Sequence, residues 1–267
     1  MRKNLSRRQI MKEKKAASPA ISMVIITAAT VMLVLVAGTF ATQVLDRQQA
    51  ATEFNALEKS ILAFDDAVRD VAWKEGAARS VRFATSRGTF QKISTTRSIE
   101  IKFHNKSIGA PVQTSIIKYL MSSSYIALES EEYYVLGSAD PIVSSVTDSL
   151  GQVLLAHESG FATISLGYRV RVSYEGDYLV QGVLTSYVNI YVIRLSSADL
   201  SFINGDFDMV AKNTGLATNS YQFPNIGKGN HSIHVIVDGQ QGPPVSVYLT
   251  GEQVIFNLII SDVSVSA

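Results

Sequence analysis

From Ala16 to Leu45 the chain carries no charged side chain, and within that stretch residues 21–36 read ISMVIITAATVMLVLV. About 20 helical residues at ~1.5 Å each cross a ~30 Å hydrocarbon core, so this run predicts a transmembrane helix over 17–45. Seven basic residues precede it (Arg2, Lys3, Arg7, Arg8, Lys12, Lys14, Lys15), opposed only by Glu13. That imbalance orients the amino terminus toward the cytoplasm and places everything from Asp46 onward outside. A cleaved secretory signal is one competing reading, with Thr39 and Ala41 as small residues at a weak cut site, although the apolar run is roughly twice the 7–15 residues usual there. An uncleaved signal anchor explains hydropathy and orientation equally well.

With the first 16 residues set aside, acidic side chains outnumber basic ones, so the formal charge of +1 for the whole chain hides a mildly acidic remainder. A nucleic-acid-binding domain concentrates basic charge on one face, and no nucleic-acid partner is expected here. Cysteine is absent, which rules out disulfides, thiolate catalysis and cysteine-ligated metals.

Beyond Leu45 the chain becomes polar but keeps a helical rhythm. Phe54, Leu57, Ile61, Phe64, Val68 and Val71 recur at spacings of three and four, an apolar stripe on one helix face. Glu53, Glu58, Lys59, Asp65, Asp66, Arg69 and Asp70 are expected on the solvated faces. No Gly or Pro interrupts the stretch before Gly76. One helix is therefore predicted from about Pro19 to Trp73, with an amphipathic stalk over 46–75 whose stripe packs on a following head.

From about Ala77 the period changes to two. Tyr168–Tyr174 and Tyr178–Leu195 flank Glu175-Gly176-Asp177 and predict a long hairpin turning at that glycine. Further strand candidates lie at 80–84, 98–104, 115–120, 133–136, 232–237, 245–249 and 254–260, while 141–156 reads equally as short helix or strand. The fold class expected is α+β: a long amino-terminal helix, then an antiparallel, β-sandwich-like head over 76–267. A polar stretch at 196–229 is expected either to divide the head or to form a surface excursion.

Candidate chemistry is sparse. His104, His157, His231 and His234 match no zinc spacing, and on a strand His231 and His234 point to opposite faces. Asn204-Gly205-Asp206-Phe207-Asp208 offers oxygen ligands in an expected turn but lacks the remainder of a calcium loop. Glu129, Glu131 and Glu132 read as a solvated strand face. No metal, cofactor or catalytic residue is expected, and the chain is not expected to be an enzyme. Two sequons, at Asn105 and Asn230, are candidate N-glycosylation sites. Tyr133, Tyr134, Tyr187 and Tyr191 are candidates for contact or core.

The junction Lys14-Lys15-Ala16-Ala17-Ser18-Pro19-Ala20-Ile21 resembles the class III leader of archaeal type IV prepilins. The resemblance covers about the first 75 residues. It implies cleavage between Ala16 and Ala17, with Lys15 as the preceding base, by a prepilin peptidase on the cytoplasmic side. The leader is then 1–16, and the apolar helix stays on the mature protein. Bacterial type IV pilins favour Glu at the fifth mature position, which here is Ile21, so docking through that carboxylate is not expected. The resemblance further implies a structural subunit, major or minor, of an extracellular filament. Its core is formed by apolar helices through residues such as Ile21, Val24, Ile25, Leu33 and Leu35. An assembly ATPase, a platform protein and further copies of the chain are the implied partners. The rival expectation is a single-pass, membrane-anchored surface or binding protein that never polymerises.

Overall fold

A computed structural model describes residues 3–92, 97–126, 132–197 and 203–267, with side chains from Ile21 onward except those of Lys92, Ser197 and Ile203. It divides into two compact units, Met1–Gln49 and Ala50–Ala267. One helix, α1 (Lys3–Ala72), contributes to both. Its start at Lys3 is earlier than the expected Pro19, because the Lys, Arg, Gln and Met of the leader are good helix formers and carry the helix into the apolar run. It ends at Ala72, after which Gly76 at φ 77° turns the chain into the head.

The head begins with β1 (Ala78–Lys92), β2 (Arg97–Phe103), β3 (Lys106–Ser107), β4 (Val112–Thr114) and β5 (Ile117–Ser122). It continues through β6 (Glu132–Leu136), β7 (Ile142–Val143), β8 (Gly151–Glu158), β9 (Phe161–Tyr168) and β10 (Val170–Val180). The last strands are β11 (Val183–Ser197), β12 (Ile203–Pro224), β13 (Gly229–Val237), β14 (Gln240–Gln241), β15 (Val245–Leu249) and β16 (Gln253–Ser266). The large sheet runs β6-β8-β9-β5-β1-β12-β16-β11-β10-β7; the small sheet runs β14-β13-β2-β3, with β15 on β13 and β4 on β2.

Strand alternation sends the large sheet's apolar residues to two faces. On one face Phe83, Tyr119, Leu155, Ile164, Leu195, Met209 and Val263 meet the buried stripe of α1 in a single cluster. On the opposite face Val172, Val188, Ile190, Phe256 and Leu258 meet Ile99, Ile101, Phe103, Ile233 and Val235 of the small sheet. The long strands β11 and β16 serve both: Val188, Ile190 and Val192 point one way, Ile193 and Leu195 the other. Helix and small sheet therefore cover opposite faces of the same strands.

Several expectations change. The sheet is mixed, not purely antiparallel, because β11 and β16 pair in parallel from Thr185↔Gln253 to Ser197↔Val265, and β7 pairs parallel to β10. These central strands are apolar on two covered faces, the setting parallel pairs require. The β10–β11 hairpin turns at Gln181-Gly182, both at positive φ as a two-residue turn needs, instead of at Gly176. Gly176, at φ 135°, instead marks a bulge between Tyr174 and Gly176. The polar stretch at 196–229 contains β12, the longest strand. Its proximal part, including Asn204–Asp208, lies on β1 instead of forming a turn. Low strand propensity from Asn, Gly and Ser is overridden by pairing with β1 over Ile203–Lys212 and with β16 over Val210–Pro224. Segment 141–156 proves to hold β7 and most of β8.

Candidate functional site

The expected filament-core residues lie in the first unit. Ile21, Val24, Ile25, Leu33 and Leu35 are each about two-thirds exposed, with apolar neighbours around the helix. Thr27 and Thr30 turn their hydroxyls back onto carbonyls of the preceding turn (Thr27 Oγ1 to Met23 O at 2.9 Å, Thr30 Oγ1 to Ile26 O at 2.8 Å), so these polar groups are satisfied within the helix. The segment is long and apolar enough to cross a membrane and has the character of a span or anchor. Lys15, Ala16 and Ala17 lie within the helical backbone of α1.

In the second unit the stripe residues Phe54, Leu57, Ile61, Phe64, Val68 and Val71 are all buried against the large sheet. Phe64 meets Phe83 edge-on, and Phe54 tilts against Tyr119. Three polar anchors flank the stripe. Near its start, the Glu53 carboxylate accepts from the Ser86 amide at 2.9 Å, the Arg87 amide at 3.0 Å and the Tyr119 hydroxyl at 3.1 Å. Desolvation opposes its ionisation, yet hydrogen bonds led by that of the Ser86 hydroxyl win, and its pKa falls below the usual glutamate value.

In the middle sits Asp65, fully buried although its charge suggested a solvated position. It lies four residues beyond Ile61 and so borders the stripe; that spacing, with Arg69 a further four residues on, was the available signal. Arg69 Nε donates to Oδ2 at 2.8 Å, and the buried Tyr168 hydroxyl faces the same carboxyl group. Gly151 leaves the room it needs, since a Cβ there would stand 2.1 Å from Oδ1. Burial raises the Asp65 pKa and Arg69 offsets this only in part.

At the helix end, Asn213 of β12 donates through Nδ2 to the carbonyls of Val71 at 3.2 Å and Ala72 at 2.6 Å, while the Ser261 hydroxyl also donates to Ala72. The orphan carbonyls of a helix terminus are thereby satisfied from the sheet. Neither Glu53 nor Asn213 carried a motif that pointed to this role.

A groove of about 550 Å³ opens beside this helix, lined by Arg69, Arg79 and Arg171 together with Asp66, Asp70 and Asp148. Its three arginines and three aspartates balance in formal charge. The sequons place Asn105 and Asn230 on exposed positions. Of the candidate tyrosines, Tyr133 is exposed, Tyr134 and Tyr187 are half-buried, and Tyr191 packs edge-on against Trp73. Glu132 is exposed on β6, whereas Glu129 and Glu131 fall outside the described residues. His157 lies on β8, and His234 on β13 accepts at Nδ1 from Gln241 Nε2 at 2.8 Å.

No protein-family model matches the chain, no curated protein matches its sequence, and no solved structure matches its fold.

Proposed function

We propose that this chain is a pilin-like structural subunit, cut between Ala16 and Ala17 and assembled through its apolar helix into an extracellular filament. The observation that supports it most directly is the contrast within α1. The stripe from Phe54 to Val71 is buried in the chain's own head, whereas the apolar residues from Ile21 to Val36 are exposed and have no apolar cover among the described residues of their unit. Exposed apolar surface on this scale is unfavourable in water by roughly 25 cal/mol per Å², so it requires lipid before assembly and other helices after it. The head faces outward, carries Asn105 and Asn230 as glycan acceptors, and is read as sandwich-like because the small sheet covers one face of the large one. By family resemblance, a prepilin peptidase, an assembly ATPase and a platform protein act on it. Its role is structural and not catalytic.

A lone surface protein anchored by the same helix is the second reading, favoured equally by the exposed apolar residues. Mass spectrometry of the mature protein separates the two in the first instance: a chain beginning at Ala17 is expected. A chain beginning at Met1, or beyond Thr39, removes the proposal. Ile26→Lys or Leu33→Lys is further expected to abolish filaments while leaving the head folded. Normal filaments from either variant would remove the helix from the filament core.

A further inference from the structure

The small sheet ends where the turn after β2 meets β13. There His104 Nε2 lies 2.9 Å from His231 Nδ1, although the residues are 127 positions apart. The remaining nitrogen of His231 is already committed, with Nε2 2.6 Å from the carbonyl of Gly227 and able only to donate to it. The tautomer that satisfies both contacts leaves His231 Nδ1 bare, accepting from His104 Nε2–H. Both rings are held in place. His104 stacks on Phe103 with centroids 4.2 Å apart and planes 10° from parallel, and Phe103 is itself fully buried. His104 is nonetheless exposed and His231 half-buried.

Two ring nitrogens at this separation have the spacing of adjacent ligands on one metal ion, because metal–nitrogen bonds of ~2.0–2.1 Å place neighbouring donors about 3 Å apart. A ligating histidine also commonly donates its other N–H to a backbone carbonyl, which fixes the tautomer and strengthens the ligand. His231 has that arrangement through Gly227. We propose that His104 and His231 form a two-histidine site for a divalent transition-metal ion of the copper, nickel and zinc class, held by His104 Nε2 and His231 Nδ1. On binding, the His104 proton moves from Nε2 to Nδ1, so two neutral rings become ligands with no net loss of a proton. No third histidine or carboxylate joins the pair among the described residues. The other coordination positions are therefore filled by water. A pure imidazole donor set selects against calcium and magnesium, which require oxygen ligands.

The test uses the untagged full-length protein in detergent micelles, titrated calorimetrically with copper(II), nickel(II), zinc(II) and magnesium chlorides. One site per chain is expected, tightest for copper, weaker for nickel and zinc, and silent for magnesium. His104→Gln and His231→Gln should each weaken copper binding at least ~10-fold, and the double variant should lose no more than either single one, because the chelate needs both rings. His234→Gln, on the same strand but hydrogen-bonded to Gln241, should bind as the unaltered protein does. Equal binding by the unaltered protein and either single variant overturns the site, as does loss on His234→Gln. Should a variant fail to fold, copper electron paramagnetic resonance of the unaltered protein decides alone: coupling to two nitrogens is expected, and coupling to one or none overturns the proposal.

Discussion

Exchanging Arg69 for leucine probes the buried carboxylate of the stalk from its solvent-facing side. Asp65 is fully buried, whereas Arg69 is 38% exposed and also pairs with the exposed Asp66. Removing the arginine leaves a buried charge without its ion partner, which costs about 3–5 kcal/mol. In a domain of this size each kcal/mol moves the midpoint of thermal unfolding by about 2–4 °C, so a drop of roughly 6–20 °C is expected at pH 7. The reverse exchange, Asp65→Asn, leaves Arg69 solvated and still paired. It loses one charge-assisted hydrogen bond of ~1.5–3 kcal/mol but relieves a desolvation penalty of similar size, so the net change should stay within about 1 kcal/mol.

Acid distinguishes the two variants further. Because burial raises the folded-state pKa of Asp65, the folded protein holds that proton more tightly than the unfolded chain does. The contribution from this group is therefore fully present at low pH and is lost as pH rises through the raised value. With Arg69 gone, the pKa climbs higher still, and the Arg69→Leu penalty shrinks on moving from pH 7 toward the ordinary carboxylate range near ~4. Urea unfolding of the full chain in micelles, followed by the fluorescence of Trp73, the sole tryptophan, measures this. Equal costs for the two single variants at pH 7, an Arg69→Leu penalty indifferent to pH, or no rescue of Arg69→Leu by Asp65→Asn would each refute the reasoning.

The same unfolding assay serves four further exchanges. Phe64→Ala, which removes a ring packed on Phe83, should cost ~3–5 kcal/mol. Gly151→Ala brings a Cβ to 2.1 Å from Asp65 Oδ1 and should cost ~1–3 kcal/mol, recovered in part by adding Asp65→Ala. Asn213→Ala strips donors from the last carbonyls of α1 and should cost ~1–3 kcal/mol, with the unfolding midpoint read at several pH values and no pH dependence found. Glu53→Gln acts in the opposite sense to Asp65. Its lowered pKa stabilises above the ordinary glutamate value, and this is lost as pH falls through the folded one, so the variant should be less stable at pH 7 and less sensitive to acid.

How far these features are legible before folding depends on whether the determinant is local. The apolar run from Ile21 to Val36 and the three-and-four spacing from Phe54 to Val71 are local patterns, and each alone dictates a helix and the character of its faces. The hairpin of β10 and β11 is likewise local, but two glycines competed for its turn, and only pairing of Val180 with Val183 puts Gly182 there and leaves Gly176 to the bulge. Strand β12 was hidden because its polar residues look like a loop until β1 and β16 supply the partners. The parallel pairing of β11 with β16 joins segments far apart in sequence and leaves no signature in either. The contacts at Asn213, Tyr168 and the His104–His231 pair belong to that long-range class. The charge of Asp65 points to solvent, whereas its four-residue spacing from Ile61 sets it at the edge of the buried stripe, where the fold places it.

The division of labour along the docked part of α1 follows from the repeat itself. Phe54, Ile61 and Val68 recur every seven residues, as do Leu57, Phe64 and Val71, so sliding the helix by seven positions lays apolar residues over apolar residues again. Such a slide, about 10 Å at ~1.5 Å per residue, keeps apolar residues over four of the six stripe positions but brings Arg47 and Ala50, or Glu75 and Ala78, to the other two, so apolar packing opposes it only in part. The polar anchors do not share the repeat. A shift by seven moves Glu53 away from the amides of Ser86 and Arg87, carries Asp65 out of the space above Gly151, and takes the terminal carbonyls away from Asn213. Each misplacement leaves a buried or half-buried polar group unpaired at about 1–3 kcal/mol. The stripe therefore supplies most of the affinity of helix for sheet, and the three anchors choose where along the sheet the helix stops.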